Sequence, residues 1–180
     1  MIKFPNTVTK IQDQAFYFCR NLKTVILPDS VTYIGESAFA AHSGGGVDNS
    51  ILELNKLPES LKEIGSNAFY KCPYVNITSL PKSLITIGDS AFRDCFNVGV
   101  IDFGGDIDAV NGSKLKTIGK DAFRNAGTRA DIGSYIILRQ SINTIGEKAF
   151  EGYGSKNIIA YYTHPSGFDY SASYLGVSEV

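Results

Sequence analysis

Apolar residues recur along this chain in a unit of 23 to 31 residues. Six copies of the pattern Ile-x-x-x-Ala-Phe define the unit, and Gly follows the Ile in five of them. The Phe residues of successive copies are 23, 30, 23, 31 and 27 positions apart. The copies lie at residues 11–16, 34–39, 64–69, 87–92, 118–123 and 145–150. Repetition at about 20–50 residues is typical of solenoids and propellers, in which each unit buries its apolar side against its neighbours.

The second copy shows the predicted elements of one unit. Polar and apolar residues alternate over 24–27, which predicts a short strand, and Pro28 ends it because proline cannot donate to a sheet ladder. Residues 31–34 alternate again and predict a second, shorter extended piece. We expect Gly35 to permit a turn, and residues 36–39 to form a helix-friendly turn that places Ala and Phe inside.

The other copies align with this unit. Residues 2–16 match 25–39, and residues 52–64 match 75–87, each at a shift of 23. Only Met1 precedes Ile2, so we expect the chain to continue a longer array or to be covered at that end by another chain. Three insertions lengthen the steps, and we expect them to form loops on related edges of the coil. They are residues 42–50, 104–114 and 126–134.

A strand, a Leu-Pro turn, Ile-Gly, Ala-Phe and a Cys three residues later follow one another in each full unit. This succession is most complete over residues 22–39 and 75–95, and it resembles the BspA-like leucine-rich repeats. The sequence departs from the pattern where His42, Ala126 and Tyr153 replace Cys. The resemblance implies a right-handed leucine-rich-repeat superhelix, which is an α/β solenoid that is mostly β. It further implies a parallel sheet on the concave side and short helical or irregular turns.

The resemblance assigns residues 1–162 to one solenoid of about six units. It leaves residues 163–180 as a C-terminal cap or tail of the same domain. It also implies a bacterial or parasite protein, at the cell surface or secreted, that adheres to host proteins or to other cells. Residues 1–5 do not form a signal peptide, so this location rests on the resemblance, and a cytoplasmic location is the alternative.

Charge and hydropathy argue against two kinds of partner. The chain has 17 basic and 18 acidic side chains, and no basic run is present to follow a nucleic-acid backbone. No apolar run is long enough to span a bilayer. We therefore expect neither nucleic-acid binding nor membrane insertion.

Neither catalysis nor a metal site is predicted. The two histidines, His42 and His164, lie in an insertion and in the tail, and no nucleophile motif accompanies them. Residues 106–112 resemble a calcium loop, but the Asx-Gly pair comes one residue late and the twelfth position is not Glu. We expect a solvated acidic loop there, no enzyme activity and no cofactor.

The three cysteines, Cys19, Cys72 and Cys95, each follow their Phe by three positions. Equivalent positions stack in register and point the same way, which predicts three buried thiols that fill space. A disulfide between Cys72 and Cys95 would need opposed Cβ vectors, and a zinc site would need a Cys-x-x-Cys or a neighbouring His. Both are weaker alternatives to buried thiols.

Two surfaces are candidate binding sites. On the concave sheet, side chains that alternate with the core set should point outward. These predicted ligand-binding positions are Thr24, Ile26, Glu53, Asn55, Asn76, Thr78, Asp102, Ile137 and Arg139. At the C-terminal end, aromatic side chains either close the coil or form an interface. They are Tyr153, Tyr161, Tyr162, Phe168, Tyr170 and Tyr174.

The leading functional prediction is a non-catalytic binding or adhesion module. It would recognise a protein, such as a host extracellular or cell-surface protein, through its concave face and insertion loops, with a glycan as the second ligand class. The alternative is a structural spacer within a longer array. A binder should carry a chemically distinct patch across several repeats, whereas a spacer should be uniformly polar. The irregular insertions, which a spacer does not need, favour the binder.

Overall fold

The computed structural model describes residues 1–41, 51–100, 102–103, 112–129, 135–138, 141–154, 157–160 and 171–176. Ten short strands and one four-residue helix are the regular elements of these residues, and turns join them. The strands are β1 (Ile2–Lys3), β2 (Lys10–Ile11), β3 (Val25–Ile26), β4 (Tyr33–Ile34), β5 (Glu63–Ile64), β6 (Thr86–Ile87), β7 (Thr117–Ile118), β8 (Tyr135–Leu138), β9 (Thr144–Ile145) and β10 (Asn157–Ala160). The helix is α1 (Ala172–Leu175).

Each copy of the repeat forms one coil, and a parallel sheet runs through all six coils. We number the coils 1 to 6 by their Phe residues, which are Phe16, Phe39, Phe69, Phe92, Phe123 and Phe150. The sheet has the strand order β2-β4-β5-β6-β7-β9. Its register places the buried Ile of one copy beside that of the next, as in Ile34 beside Ile64 and Ile64 beside Ile87. The predicted second extended piece and the mostly β, parallel solenoid are confirmed.

The first strands of the coils pair less regularly than the second strands. β1 pairs with β3, and β8 pairs with β10, all in parallel. Between these pairs, the described residues form single bridges, which join Thr24 to Glu53, Leu54 to Val75 and Asp102 to Ile137. The sheet predicted at the first strands is therefore present in parts. The continuous sheet is formed by the shorter strands that precede Gly.

The strand register between coils 3 and 4 differs in part from the predicted alignment of the third and fourth units. The second strands keep the predicted shift of 23, because Ile64 pairs with Ile87. In the first strands, however, Leu54 pairs with Val75, where the alignment had placed Leu52 beside Val75. The connection between the first and second strands is consequently two residues longer in coil 4 than in coil 3. This extra length lies in the segment that lines a cavity described below.

The Phe residues form one continuous stack along the solenoid. Successive rings have centroids 5.2 to 5.8 Å apart and planes within 17° of parallel. Phe69, Phe92, Phe123 and Phe150 are fully buried, whereas Phe16 of coil 1 is only partly buried. Each stacked pair contributes about 0.5–1.5 kcal/mol beyond the burial of its area. The prediction that Phe fills the centre of the coil is confirmed.

The Ala-Phe turn is not helical, in contrast to the expectation for residues 36–39. The residue before Ala adopts a left-handed conformation in every coil, for example Ser37 with φ 52° and Asn67 with φ 56°. This conformation turns its N–H toward the next coil, so Ser37 donates to the carbonyl of Ser66 at 2.9 Å. Phe39 likewise donates to the carbonyl of Ala68 at 2.8 Å. The turns thus form a hydrogen-bonded ladder between coils, which offsets the strain of the left-handed residues.

The Gly that follows Ile in coils 2 to 6 lets the backbones of neighbouring coils approach closely. It does not adopt a positive φ. None of Gly35, Gly65, Gly88, Gly119 and Gly146 lies in the left-handed region. The turn expected after Gly35 is present, and the carbonyl of Gly35 accepts the N–H of Ala38 at 3.3 Å. A Cβ on Gly88 would lie 2.5 Å from the Ser66 nitrogen and 2.7 Å from the Gly65 carbonyl carbon. Coil 1 has Gln12 at this position, and no described coil packs on that side of it.

Two of the three cysteines are buried as predicted, and Cys19 is not. Cys72 donates its thiol to the carbonyl of Phe39 at 3.2 Å, and Cys95 donates to that of Phe69 at 2.9 Å. Burial raises the pKa of the Cys95 thiol well above its ordinary value, and Cys72 adds to the shift. Cys19 is exposed because no described coil precedes coil 1 and covers it. None of the three cysteines is in a disulfide, so the alternative Cys72–Cys95 bond is not formed.

The described part of the C-terminal segment packs on coil 6. Leu175 of α1 is fully buried, and its carbonyl accepts the N–H of Phe150 at 3.0 Å. The carbonyl of Tyr174 accepts the N–H of Lys148. In the preceding coils, the equivalent N–H groups donate to the next coil, so α1 takes the place of a further coil. The predicted boundary at residue 162 lies outside the described residues.

Replacing Gly88 with Ala should destabilise the fold. The added methyl group has no space against the coil 3 backbone, and overpacking of this kind costs about 1–3 kcal/mol. Gln12→Ala is the matched control, because this residue is exposed and its substitution should stay within about 0.5 kcal/mol. Urea unfolding followed by circular dichroism measures both. A Gly88→Ala protein as stable as the wild type would show that the coils can separate at no cost.

Thiol labelling of the native protein should modify Cys19 far faster than Cys72 and Cys95. Cys19 is exposed, whereas the other two are buried and Cys95 keeps its proton because its pKa is raised. Mass spectrometry after a short exposure to iodoacetamide identifies the labelled positions. Cys19→Ser should abolish the fast reaction, and denaturant should expose the remaining thiols. Rapid native labelling of Cys72 would contradict its burial between coils 2 and 4.

Candidate functional site

Outward side chains of the first strands remain accessible across several coils. The predicted positions Ile26, Glu53, Asn55, Asn76 and Thr78 are exposed, and Thr24, Asp102 and Ile137 are half-buried. Arg139 lies outside the described residues. The residues between these positions, such as Val25 and Leu54, are buried, so the predicted alternation of inward and outward side chains is confirmed for coils 2 and 3.

The register joins some of the predicted positions directly. Thr24 of coil 2 forms a bridge with Glu53 of coil 3. Leu54 pairs with Val75, so the residues that precede them, Glu53 and Tyr74, are also neighbours. One row of outward side chains therefore runs from Thr24 through Glu53 to Tyr74. Tyr74 is 48% exposed and was not predicted as a site residue. The alignment at a shift of 23 had placed Asn76 beside Glu53, which hid the contribution of Tyr74.

A second outward row lies two residues further along the same strands. Lys3 of β1 pairs with Ile26 of β3, and Ile26 is 45% exposed. Asn55 and Asn76 continue the row in coils 3 and 4, since each directly follows a paired, buried residue. The two rows contain two exposed side chains with large apolar areas, Ile26 and Tyr74, and the other outward side chains in these rows are polar. This composition matches that of protein-binding surfaces, in which aromatic and aliphatic groups lie within a polar rim.

The remaining predicted positions lie near coil 5. Asp102 forms a bridge with Ile137 of β8, so the structure brings these two together. Between coils 4 and 5, the described contact of the first strands includes the hydrogen bond from Gly99 N–H to the carbonyl of Ile77, at 2.9 Å. Phe103 turns inward and packs edge-on against the rings of Phe123 and Phe150.

A cavity of about 290 Å³ opens between coils 4 and 5. Two predicted positions, Thr78 and Asp102, line it. The other lining residues are Ser79, Leu80, Lys82, Phe103 and Ser113. The longer connection of coil 4 supplies one wall. Asp102 and Phe103, which precede the predicted insertion 104–114, and Ser113, which lies within it, supply the other. Most of that insertion, all of 42–50 and residues 130–134 lie outside the described residues.

The described residues offer no arrangement for metal binding. No group of three or more His, Cys, Asp or Glu side chains among them is placed to hold an ion. Residues 106–111, which hold most of the calcium-like sequence, are outside the described part of the chain. In the part of the chain that the structure covers, no helix is long and apolar enough to cross a membrane.

The aromatic end of the chain contributes to the core at Tyr153. This ring packs edge-on against Phe123 and Phe150, and its hydroxyl donates to the carbonyl of Val100. Burial raises the pKa of the Tyr153 hydroxyl far above its ordinary value. Tyr153 therefore closes the coil, as the first of the two hypotheses for the C-terminal aromatic residues predicts, and is not exposed for an interface. Tyr174 is half-buried on coil 6, and Tyr161, Tyr162, Phe168 and Tyr170 lie outside the described residues.

Comparison with known proteins identifies the repeat. The family model described as "BspA type Leucine rich repeat region" matches in six copies, over residues 1–126 and 47–160. A leucine-rich repeat protein from T. pallidum has a similar structure, with a TM-score of 0.57 and 21% identity, over 99% of this chain and 84% of that one. A leucine-rich repeat protein from Bacteroides ovatus has a TM-score of 0.50 and 25% identity, over 93% of this chain. The chain spans 52% of the length of the latter. No curated protein sequence matches.

Substitution of Tyr74 with Ser should leave stability within about 0.5 kcal/mol, because Tyr74 is an exposed residue outside the core. Val75→Ala, at the neighbouring inward position, should cost about 2 kcal/mol through lost burial and a cavity. Chemical unfolding of the two variants and the wild type measures the difference. Equal losses from both substitutions would show that Tyr74 belongs to the core and is not available to a partner.

Proposed function

We propose that this chain, which belongs to the BspA-type leucine-rich repeat family, is a non-catalytic module that binds a protein through its first strands. Leucine-rich repeats generally mediate protein interactions and are generally non-catalytic. The observation that carries the proposal is the exposure of Ile26 and Tyr74 among outward polar side chains of coils 2 to 4. A partner that covers these two side chains removes their apolar area from water, which favours binding.

The spacer alternative explains these rows less well. A spacer needs only a soluble surface, and polar residues at positions 26 and 74 would serve that role. A rigid, regularly spaced set of outward side chains is instead suited to an extended partner surface. Thr24, Glu53, Asn55 and Asn76 would supply polar contacts around Ile26 and Tyr74. The family resemblance supports a location at the cell surface, with an extracellular or cell-surface protein as the partner.

The proposed surface extends toward coil 6. Asp102 and Ile137 lie on the same strand row, and Arg139 follows Ile137 by two positions. The insertion loops would add contacts at the edges of the coils, as loops on one face of a solenoid often do. The tail at residues 163–180 would cap coil 6, as the packing of Leu175 suggests.

Affinity capture tests this function with charge variants of the outward row. The immobilised chain is exposed to a mixture of extracellular proteins in the presence of calcium, and retained proteins are identified by mass spectrometry. Glu53→Lys and Asn76→Lys should each abolish retention, since an unmatched charge inside an interface costs several kcal/mol. Glu36→Lys is the matched control, because this exposed Glu lies beside the Gly step and outside both rows.

Two outcomes would contradict the proposal. If the wild type retains no protein, the spacer function is favoured. If all three variants retain the same protein as the wild type, the partner binds elsewhere on the solenoid. Thermal unfolding of each variant confirms that a loss of retention does not come from a loss of folding.

A further inference from the structure

We propose that the cavity between coils 4 and 5 binds a single neutral sugar ring, as a subsite within the binding surface. The inference rests on the proposed binding function, because Thr78 and Asp102 are predicted binding positions that also line the cavity. The ligand is a saccharide, the second ligand class, and it binds apart from the exposed Ile26 and Tyr74.

Repeat geometry creates the cavity. Coil 4 has two more residues than coil 3 between its first and second strands, while its second strand keeps the regular pairing. Ser79 and Leu80 belong to this longer connection, and both line the cavity.

The walls of the cavity are fixed by backbone contacts. Lys114 N–H donates to the carbonyl of Lys82 at 3.1 Å, which ties coil 5 to coil 4 beside the lining residues Lys82 and Ser113. The hydroxyl of Ser113 accepts the N–H of Leu115 at 3.2 Å, and Asp102 is held by its bridge to Ile137. A preformed site loses little conformational entropy when it binds, which matters for a small ligand.

The lining presents the groups that recognise a sugar. Hydroxyl groups come from Thr78, Ser79 and Ser113, and the carboxylate of Asp102 can accept bonds from two neighbouring hydroxyls. Leu80 adds a half-buried apolar surface for the C–H face of a ring. Ligand sites combine apolar walls with a few placed polar groups in this way.

Charge and size favour a neutral, single-ring ligand over a charged one. Lys82 and Asp102 each already interact with another group, so an ionic ligand would have to compete with an existing contact. A hydroxyl-bearing ligand needs only their remaining donor and acceptor capacity. The volume of about 290 Å³ is at the lower end of ligand pockets, which fits one ring and not an oligosaccharide.

Saturation-transfer difference NMR on the intact chain tests the proposal. The probes are methyl glycosides of glucose, mannose and galactose, together with fucose, N-acetylglucosamine and, as a zwitterionic competitor class, free serine. At least one sugar should show saturation transfer. Asp102→Asn and Ser113→Ala should each raise its Kd about tenfold, as expected for loss of a hydrogen bond to the ligand.

The controls are Glu59→Gln, a carboxylate-to-amide change on an exposed residue, and Lys56→Gln, its ion-pair partner. Both should leave the Kd unchanged. The proposal fails if no sugar binds, if serine binds and the sugars do not, or if Asp102→Asn binds the sugar as tightly as the wild type. Failure here, with protein capture still sensitive to Glu53→Lys, would remove the sugar subsite and leave the protein-binding function standing.

Discussion

The spacing of the whole solenoid depends on the approach of the backbones at the Ile-Gly step. A Cβ on Gly65 or Gly88 would meet the preceding coil at less than 3 Å, so any larger residue pushes the coils apart. At the same step, the N–H of Gly88 donates to the carbonyl of Ile64 at 2.8 Å. With the coils held at this distance, the Phe rings stack face to face and the thiol of Cys95 reaches the carbonyl of Phe69. Three kinds of contact thus share one geometric requirement.

Because the second strands and the turns fix the spacing, the first strands can change register without disturbing the core. Coil 4 accommodates a connection two residues longer than that of coil 3, and Ile64 still pairs with Ile87. The additional residues lie between the first and second strands of coil 4, where Thr78 lines a cavity together with Asp102 of coil 5. Variation in loop length is tolerated in this way because closing a longer loop adds little entropic cost.

The interior of the fold was predictable from the sequence, because burial imposes the same residue type at the same position in every coil. Ile64, Ala68 and Phe69 show this, as all three are fully buried. The role of Gly was not predictable, since sequence shows that a side chain is missing and not whether φ or a neighbouring backbone excludes it. The exposure of Cys19 also follows from its neighbours in space, which the repeat pattern treats as identical for every copy.

Outward positions are harder to predict because no packing constraint selects their residue types. The alternation around Val25 and Leu54 is enough to tell which side chains face solvent, but not which of them become neighbours across coils. That depends on register, and a change of two residues replaces Asn76 with Tyr74 beside Glu53. The same absence of constraint has a functional consequence. Stability resides in the Gly step, the Phe stack and the turn ladder, so the outward rows can change chemistry at little cost to folding, and recognition can vary while the coil stays the same.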